Sequence, residues 1–181
     1  VKYYLYKPDA NNFAAVGTST DDDDRVIDLH WTDDSAANAW ASPTVFEFDE
    51  GPQRVGDFPS FSNFSSVPVF SERAWSALSP LIGNCCERLP LVHPSGAQYY
   101  FIHVMQTVDC LDLDRSELKR YSDGGVMRVV RYALKQEMLH GKHLFKLPQS
   151  AGGDLLLDDE LRSAIVAAKL VGLTFKELPT T

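Results

Sequence analysis

Two hydrophobic rhythms run along this chain. Between Ser71 and Ile82 the apolar residues Ala74, Trp75, Leu78, Leu81 and Ile82 fall at helical spacing, which predicts a helix with one buried face. Ser71 is placed to cap it, and Glu72 lies in the first turn, where the helix dipole favours an anion. Pro80 comes near the end, where it kinks or stops a helix, and Gly83-Asn84 offers the exit. A second helix is predicted over residues 158–171. Asp158 is its cap, Asp159 and Glu160 open it, and Leu161, Ala164, Ile165 and Ala168 form its apolar side. Gly172 is expected just past its C-terminus.

The other rhythm has period two and predicts strands. Residues 2–6 form one, closed by Pro8, and residues 45–49 another, broken by Gly51-Pro52. Residues 87–93 and 98–105 form a hairpin around Pro94-Ser95-Gly96. In its second strand Tyr100, Ile102 and Val104 share one face, and Tyr99, Phe101 and His103 the other, so the strand is expected to be covered on both sides. Residues 142–147 give a further strand before Pro148. Residues 126–138 fit either rhythm, and their β-branched content and Gly124-Gly125 entry favour strand. Asp114-Arg115-Ser116-Glu117 reads as a turn opening a short helix, and residues 173–178 as an extended tail. The predicted fold class is α+β, a mostly antiparallel sheet with two principal helices packed on it.

Residues 9–44 break both rhythms. They read as mostly loop, with a short strand or helical turn near Val26 to Trp31, and they hold the run Asp21-Asp22-Asp23-Asp24. That run lacks the alternating ligands, the glycine and the closing glutamate of a calcium loop, so it reads as a solvated segment able to meet a basic partner. Residues 56–64 are polar but carry Phe58, Phe61 and Phe64, rings that anchor loops onto a core. The organisation expected is one domain over residues 1–181, with variable strands and loops in 1–66 and a core in 67–178.

A formal net charge of −8 and a sequence pI of about 5.0 argue against nucleic acid and anionic membrane as direct partners, because both need Lys and Arg, and they suit a basic protein. Three cysteines, two of them adjacent, make no disulfide framework and point to a reducing compartment. The first residues lack a signal-peptide apolar run, which makes the cytoplasm the expected location.

Chemistry is harder to find. His140 and His143 stand at HxxH spacing without a third ligand beside them, and Cys85-Cys86 has no zinc-knuckle spacing, so no metal or cofactor is expected. There is no GxSxG, HExxH or phosphate loop. Asp109, Asp112 and Asp114 lie close together, but Leu111 and Leu113 alternate with them, as at a half-wet strand edge. Cys110 reads as a small buried hydrophobe.

Taken in order, Asp57-Phe58-Pro59, Val69-Phe70-Ser71-Glu72-Arg73-Ala74 and Leu89-Pro90-Leu91 before Tyr99-Tyr100 make a series. Asp109-Cys110-Leu111-Asp112 with Ser116, Leu144-Phe145-Lys146, and the closing Leu157–Leu161 helix start with Gly172-Leu173-Thr174-Phe175 continue it. The series resembles a family of bacterial immunity proteins, the one numbered eleven among polymorphic-toxin immunity domains, over about the last two thirds of the chain. The resemblance implies a non-catalytic protein encoded beside a secreted antibacterial toxin, which it binds in the cytosol as a 1:1 heterodimer. A type VI-secreted nuclease (DNase), blocked at its active site, is the toxin class that best suits an acidic inhibitor. The partner-binding candidates are the carboxylates Asp21, Asp22, Asp23, Asp24, Asp33, Asp34 and Glu50 and the aromatic anchors Trp31, Trp40, Phe58 and Phe61. Two rival readings stay open: a regulatory or assembly module unrelated to toxins, and an enzyme using the Asp109, Asp112 and Asp114 carboxylates.

Overall fold

The C-terminal extended segment is not a tail. As β12 (Leu173–Leu178) it pairs antiparallel with β1 (Tyr3–Pro8) along its whole length, so the two ends of the chain lie side by side. The computed structural model describes residues 1–62, 64–150 and 153–179. Its other strands are β2 (Ala15–Gly17), β3 (Phe46–Glu47), β4 (Ser60–Phe61), β5 (Val69–Ser71), β6 (Cys86–Val92), β7 (Gln98–Val104), β8 (Glu117–Arg120), β9 (Val126–Arg131), β10 (Leu144–Lys146) and β11 (Leu155–Asp158). Three α-helices are interspersed, α1 (Thr20–His30), α2 (Glu72–Ile82) and α3 (Asp159–Ala167). The fold is α+β. Among the described residues the strands form sheets in the orders β10-β11-β1-β12, β3-β2-β4, β5-β7-β6 and β8-β9; β2 pairs parallel with β4, and the other strand pairs are antiparallel.

Alternation along the strands builds three cores. Tyr4 and Tyr6 of β1, Leu155 and Leu157 of β11, and Tyr100, Ile102 and Val104 of β7 face one core, closed by Ala74, Leu78 and Ile82 of α2 and Leu161 and Ile165 of α3. The opposite face of β1 and β11, through Tyr3 and Leu156, meets Cys110, Leu111, Leu134 and Phe145. The opposite face of β7, through Tyr99 and Phe101, meets Val16, Val26, Val45 and Phe61. Strand β7 is therefore covered on both sides, as its doubly apolar sequence predicts.

Both anticipated helices form, and both anticipated caps bond: Ser71 Oγ accepts from the Ala74 N–H at 3.1 Å, and Asp158 Oδ1 from the Leu161 N–H at 2.9 Å. α3 stops earlier than its apolar pattern suggests. The Leu170 N–H bonds the Ile165 carbonyl and the Lys169 N–H the Val166 carbonyl, a Schellman closure in which Lys169, at φ 51°, takes the left-handed place expected of Gly172. A non-glycine residue is strained there. Arg73 offsets the strain by donating to the carbonyls of Ala168 and Lys169 at 3.0 and 2.6 Å. The same arginine pairs with buried Asp57, which also accepts from Ser71 Oγ and the Val171 N–H, so one carboxylate ties the start of α2 to the exit of α3.

Three local expectations are corrected. The acidic run is not a loop but the start of α1. The turn at residues 114–117 leads into β8, not a helix, because Asp112 Oδ1 accepts the N–H groups of Asp114 and Arg115 and reverses the chain. Residues 126–138 are strand only as far as Arg131 and end in a 3-10 turn, Gln136–Met138.

Candidate functional site

Aspartate is a poor helix former in mid-helix but a good one at the N-terminus, where exposed N–H groups attract carboxylates. That is where the aspartate run falls. Asp22 accepts from Ser19 Oγ at 3.0 Å and pairs with Arg25 at 2.9 Å, while Asp23 Oδ1 accepts from the Thr18 N–H and hydroxyl at 3.0 and 2.6 Å. Those two carboxylates begin the helix. Asp21 and Asp24 are exposed and have no side-chain partner among the described residues.

The C-terminal end of α1 and the segment after it are held by a buried polar cluster. Lys146 of β10 is 4% exposed and donates through Nζ to the carbonyls of His30 and Thr32 at 2.9 and 2.7 Å and to Asp33 at 2.9 Å. An ammonium at a helix C-terminus complements both the dipole and the orphan carbonyls. Burial works against ionisation of Asp33, but the hydrogen bonds from Lys146 and Thr107 outweigh it and hold the carboxyl below its ordinary value. Fully buried His103 bridges the Thr32 carbonyl, at 3.0 Å, and Glu87, at 3.3 Å. Glu87 in turn accepts from the Ser35 hydroxyl and the Ala36 N–H.

His30 is 1% exposed, and its Nε2 lies 2.9 Å from the Gly153 carbonyl. A carbonyl only accepts, so Nε2 carries the proton in the neutral ring, and Nδ1 has no partner among the described residues. Burial pushes this imidazole down to about 4. The unfolded chain, at about 6.5, therefore takes up a proton first as the pH falls. The stability held by neutral His30 is complete above about pH 6.5 and is lost progressively towards pH 4. Urea unfolding at pH 5 is expected to show about 2 kcal/mol less stability from this group than at pH 7.5, and His30→Gln should remove that increment of the slope.

The other candidates divide. Asp34 and Glu50 are exposed and unpartnered among the described residues. Trp31 is 47% exposed and meets His30 edge-on. Trp40 is half-buried: its Nε1–H donates to the Pro90 carbonyl at 2.8 Å, and the Arg25 guanidinium lies over its ring. Phe58 and Phe61 are 1% and 0% exposed, so they are core residues and not surface anchors. Phe58 packs edge-on against Tyr6 and Phe70, and Phe61 joins the core beneath α1. Phe64, expected to anchor its loop on the core, is exposed instead, and the exposed aromatics that sequence reasoning passed over include Phe46 and Phe48, which meet edge-on because the alternation at residues 45–49 turns Val45 inward and both rings out.

This segment owns the charge imbalance of the chain. Residues 1–66 hold twelve Asp and Glu against four Lys and Arg, while residues 67–181 hold thirteen of each. Within it Asp21, Asp24, Asp34 and Glu50 are exposed carboxylates, and Trp31, Phe46 and Phe48 are exposed rings.

The clusters elsewhere have structural occupations. Asp109 accepts from Gln149 and Asp112 closes a turn. His143, Asp158 and Glu160 come close enough to hold a cation, but Asp158 is committed to capping α3 and to His143 at 2.9 Å. Cys110 is buried, and desolvation pushes its thiol up to about 11. Among the described residues no helix is long and apolar enough to cross a membrane.

A model described as the immunity protein family (Imm11) matches residues 88–180, from β6 through β12, and leaves α1 and the acidic segment outside the match. No curated protein matches the chain.

Proposed function

The chain belongs to the immunity protein family Imm11, whose members bind toxins, and from that membership we propose that its acidic segment docks on a basic cleft of its cognate toxin and occludes the active site. The observation that carries this reading is the placement of the whole net negative charge in residues 1–66, upstream of the matched region. A surface of one sign raises the encounter rate with a partner of the other and penalises the wrong partner. Enzymes that cleave nucleic acid line their clefts with Lys and Arg, so the toxin class we assign is a nuclease, a DNase delivered by type VI secretion and met in the cytoplasm in a 1:1 complex. Trp31 and the Phe46–Phe48 pair supply the rigid aromatic area that anchors such an interface.

The test is co-expression with the toxin encoded beside this chain. The expected result is co-purification at equal stoichiometry, rescue of growth, and loss of DNA cleavage by the purified toxin on addition of one equivalent. A toxin that cleaves no nucleic acid would overturn the nuclease assignment, and absence of both binding and rescue would overturn the reading.

A further inference from the structure

The β8–β9 hairpin has the opposite electrostatic character. Residues 115–135 hold six Lys and Arg against two Asp and Glu in a chain of net charge −8. Leu118 and Val129 pair across the strands and turn into the core with Tyr3, Phe145 and Leu156, so the ribbon is anchored on one side. The next pair is Lys119 opposite Arg128, both exposed, with side chains alternating to the outer face. Directly opposed like charges destabilise an antiparallel pair. Neither forms an ion pair among the described residues, whereas Arg131 stands opposite Glu117 across the hairpin. Exposed Tyr121 and Val130 lie on the same ribbon.

We propose that this hairpin is a second docking element, which receives an acidic patch of the toxin on Lys119 and Arg128; the inference rests on the toxin-binding reading above. Repulsion retained on an exposed, well-anchored ribbon is relieved by carboxylates brought from outside. Arg and Tyr together are the side chains enriched in protein interfaces. A protein partner is favoured over nucleic acid because the chain as a whole repels a polyanion, whereas a toxin of mixed surface charge satisfies both poles at once. Two docking elements of opposite sign also fix orientation: a toxin turned end for end meets like charge at both.

The variants are Lys119→Glu and the double Lys119→Glu/Arg128→Glu, with Lys176→Glu on β12 as a charge control. On the wild-type chain the toxin from the adjacent gene should bind. The double variant should then associate about tenfold more slowly, with the control close to wild type. In the free chain Lys119→Glu should raise the melting temperature by about 1–3 °C, because it turns a repulsive cross-strand pair into an attractive one. Wild-type binding that the double variant leaves unchanged, or a melting temperature that stays level or falls, overturns the hairpin proposal alone. Failure of the wild-type chain to bind removes the toxin-binding reading and this inference with it. Binding of a DNA duplex that the double variant abolishes would assign the hairpin to nucleic acid and overturn it.

Discussion

Lys146→Met is expected to lower the unfolding free energy by about 2–4 kcal/mol. Methionine fills much the same volume, so the loss is electrostatic and not a cavity effect. Three acceptors lose the ammonium: the His30 carbonyl, the Thr32 carbonyl and Asp33. Thr32 keeps its bond to His103 and Asp33 keeps Thr107, but the His30 carbonyl, at the end of α1, is left without its donor. Asp33 is 44% exposed, so water takes over its half of the pair, and Asp33→Asn should cost under about 1 kcal/mol. The asymmetry between the two partners of one ion pair is the diagnostic result. Urea unfolding measures both, and amide exchange should locate the loosening in α1. A Lys146→Met variant within about 0.5 kcal/mol of wild type would mean that the cluster does not hold the acidic segment in place.

Lys146 also marks where the sequence could be read and where it could not. α2, α3 and the β6–β7 hairpin are legible because each carries its own periodicity and its own cap or turn, and the caps at Ser71 and Asp158 bond as their residue types require. α1 is not, because its four aspartates disguise a helix start as a solvated loop and only Val26 and His30 are buried along it, too few to set a helical rhythm. What forms the helix is tertiary: Lys146, more than a hundred residues downstream in sequence, satisfies its C-terminal carbonyls. The available signal was a lone lysine inside Leu144-Phe145-Lys146-Leu147, sharing a strand face with Leu144. A charge in that position is buried with partners or not buried at all. The acidic surface was legible in composition, but the division of labour within it was not. Asp22, Asp23 and Asp33 spend their oxygens on the fold, and nothing in the sequence distinguishes them from Asp21, Asp24 and Asp34. The phenylalanines illustrate the same gap: Phe58 goes inward against Tyr6 and Phe70, Phe61 goes inward from β4 beside β2, and Phe46 and Phe48 go outward.

That division makes the second large effect specific. Neutralising the outward carboxylates together, as Asp21→Asn, Asp24→Asn, Asp34→Asn and Glu50→Gln, is expected to slow association with the toxin by about ten- to a hundredfold and to flatten its dependence on salt, because long-range attraction between opposite charges governs encounter. Each of the four is exposed and unpartnered among the described residues, so stability should change by no more than about 0.5 kcal/mol per site. The inward pair behaves in reverse. Asp22→Ala with Asp23→Ala removes acceptors for Ser19, Arg25 and Thr18, and is expected to cost about 1–2 kcal/mol of stability through the start of α1. Stopped-flow association across a salt series, set beside urea unfolding of the same variants, separates the two classes. An outward quartet that leaves the rate and its salt slope at wild-type values would mean that the negative surface is solvation and not recognition. The aromatic residues Trp31, Phe46 and Phe48 would then have to account for docking through contact area alone.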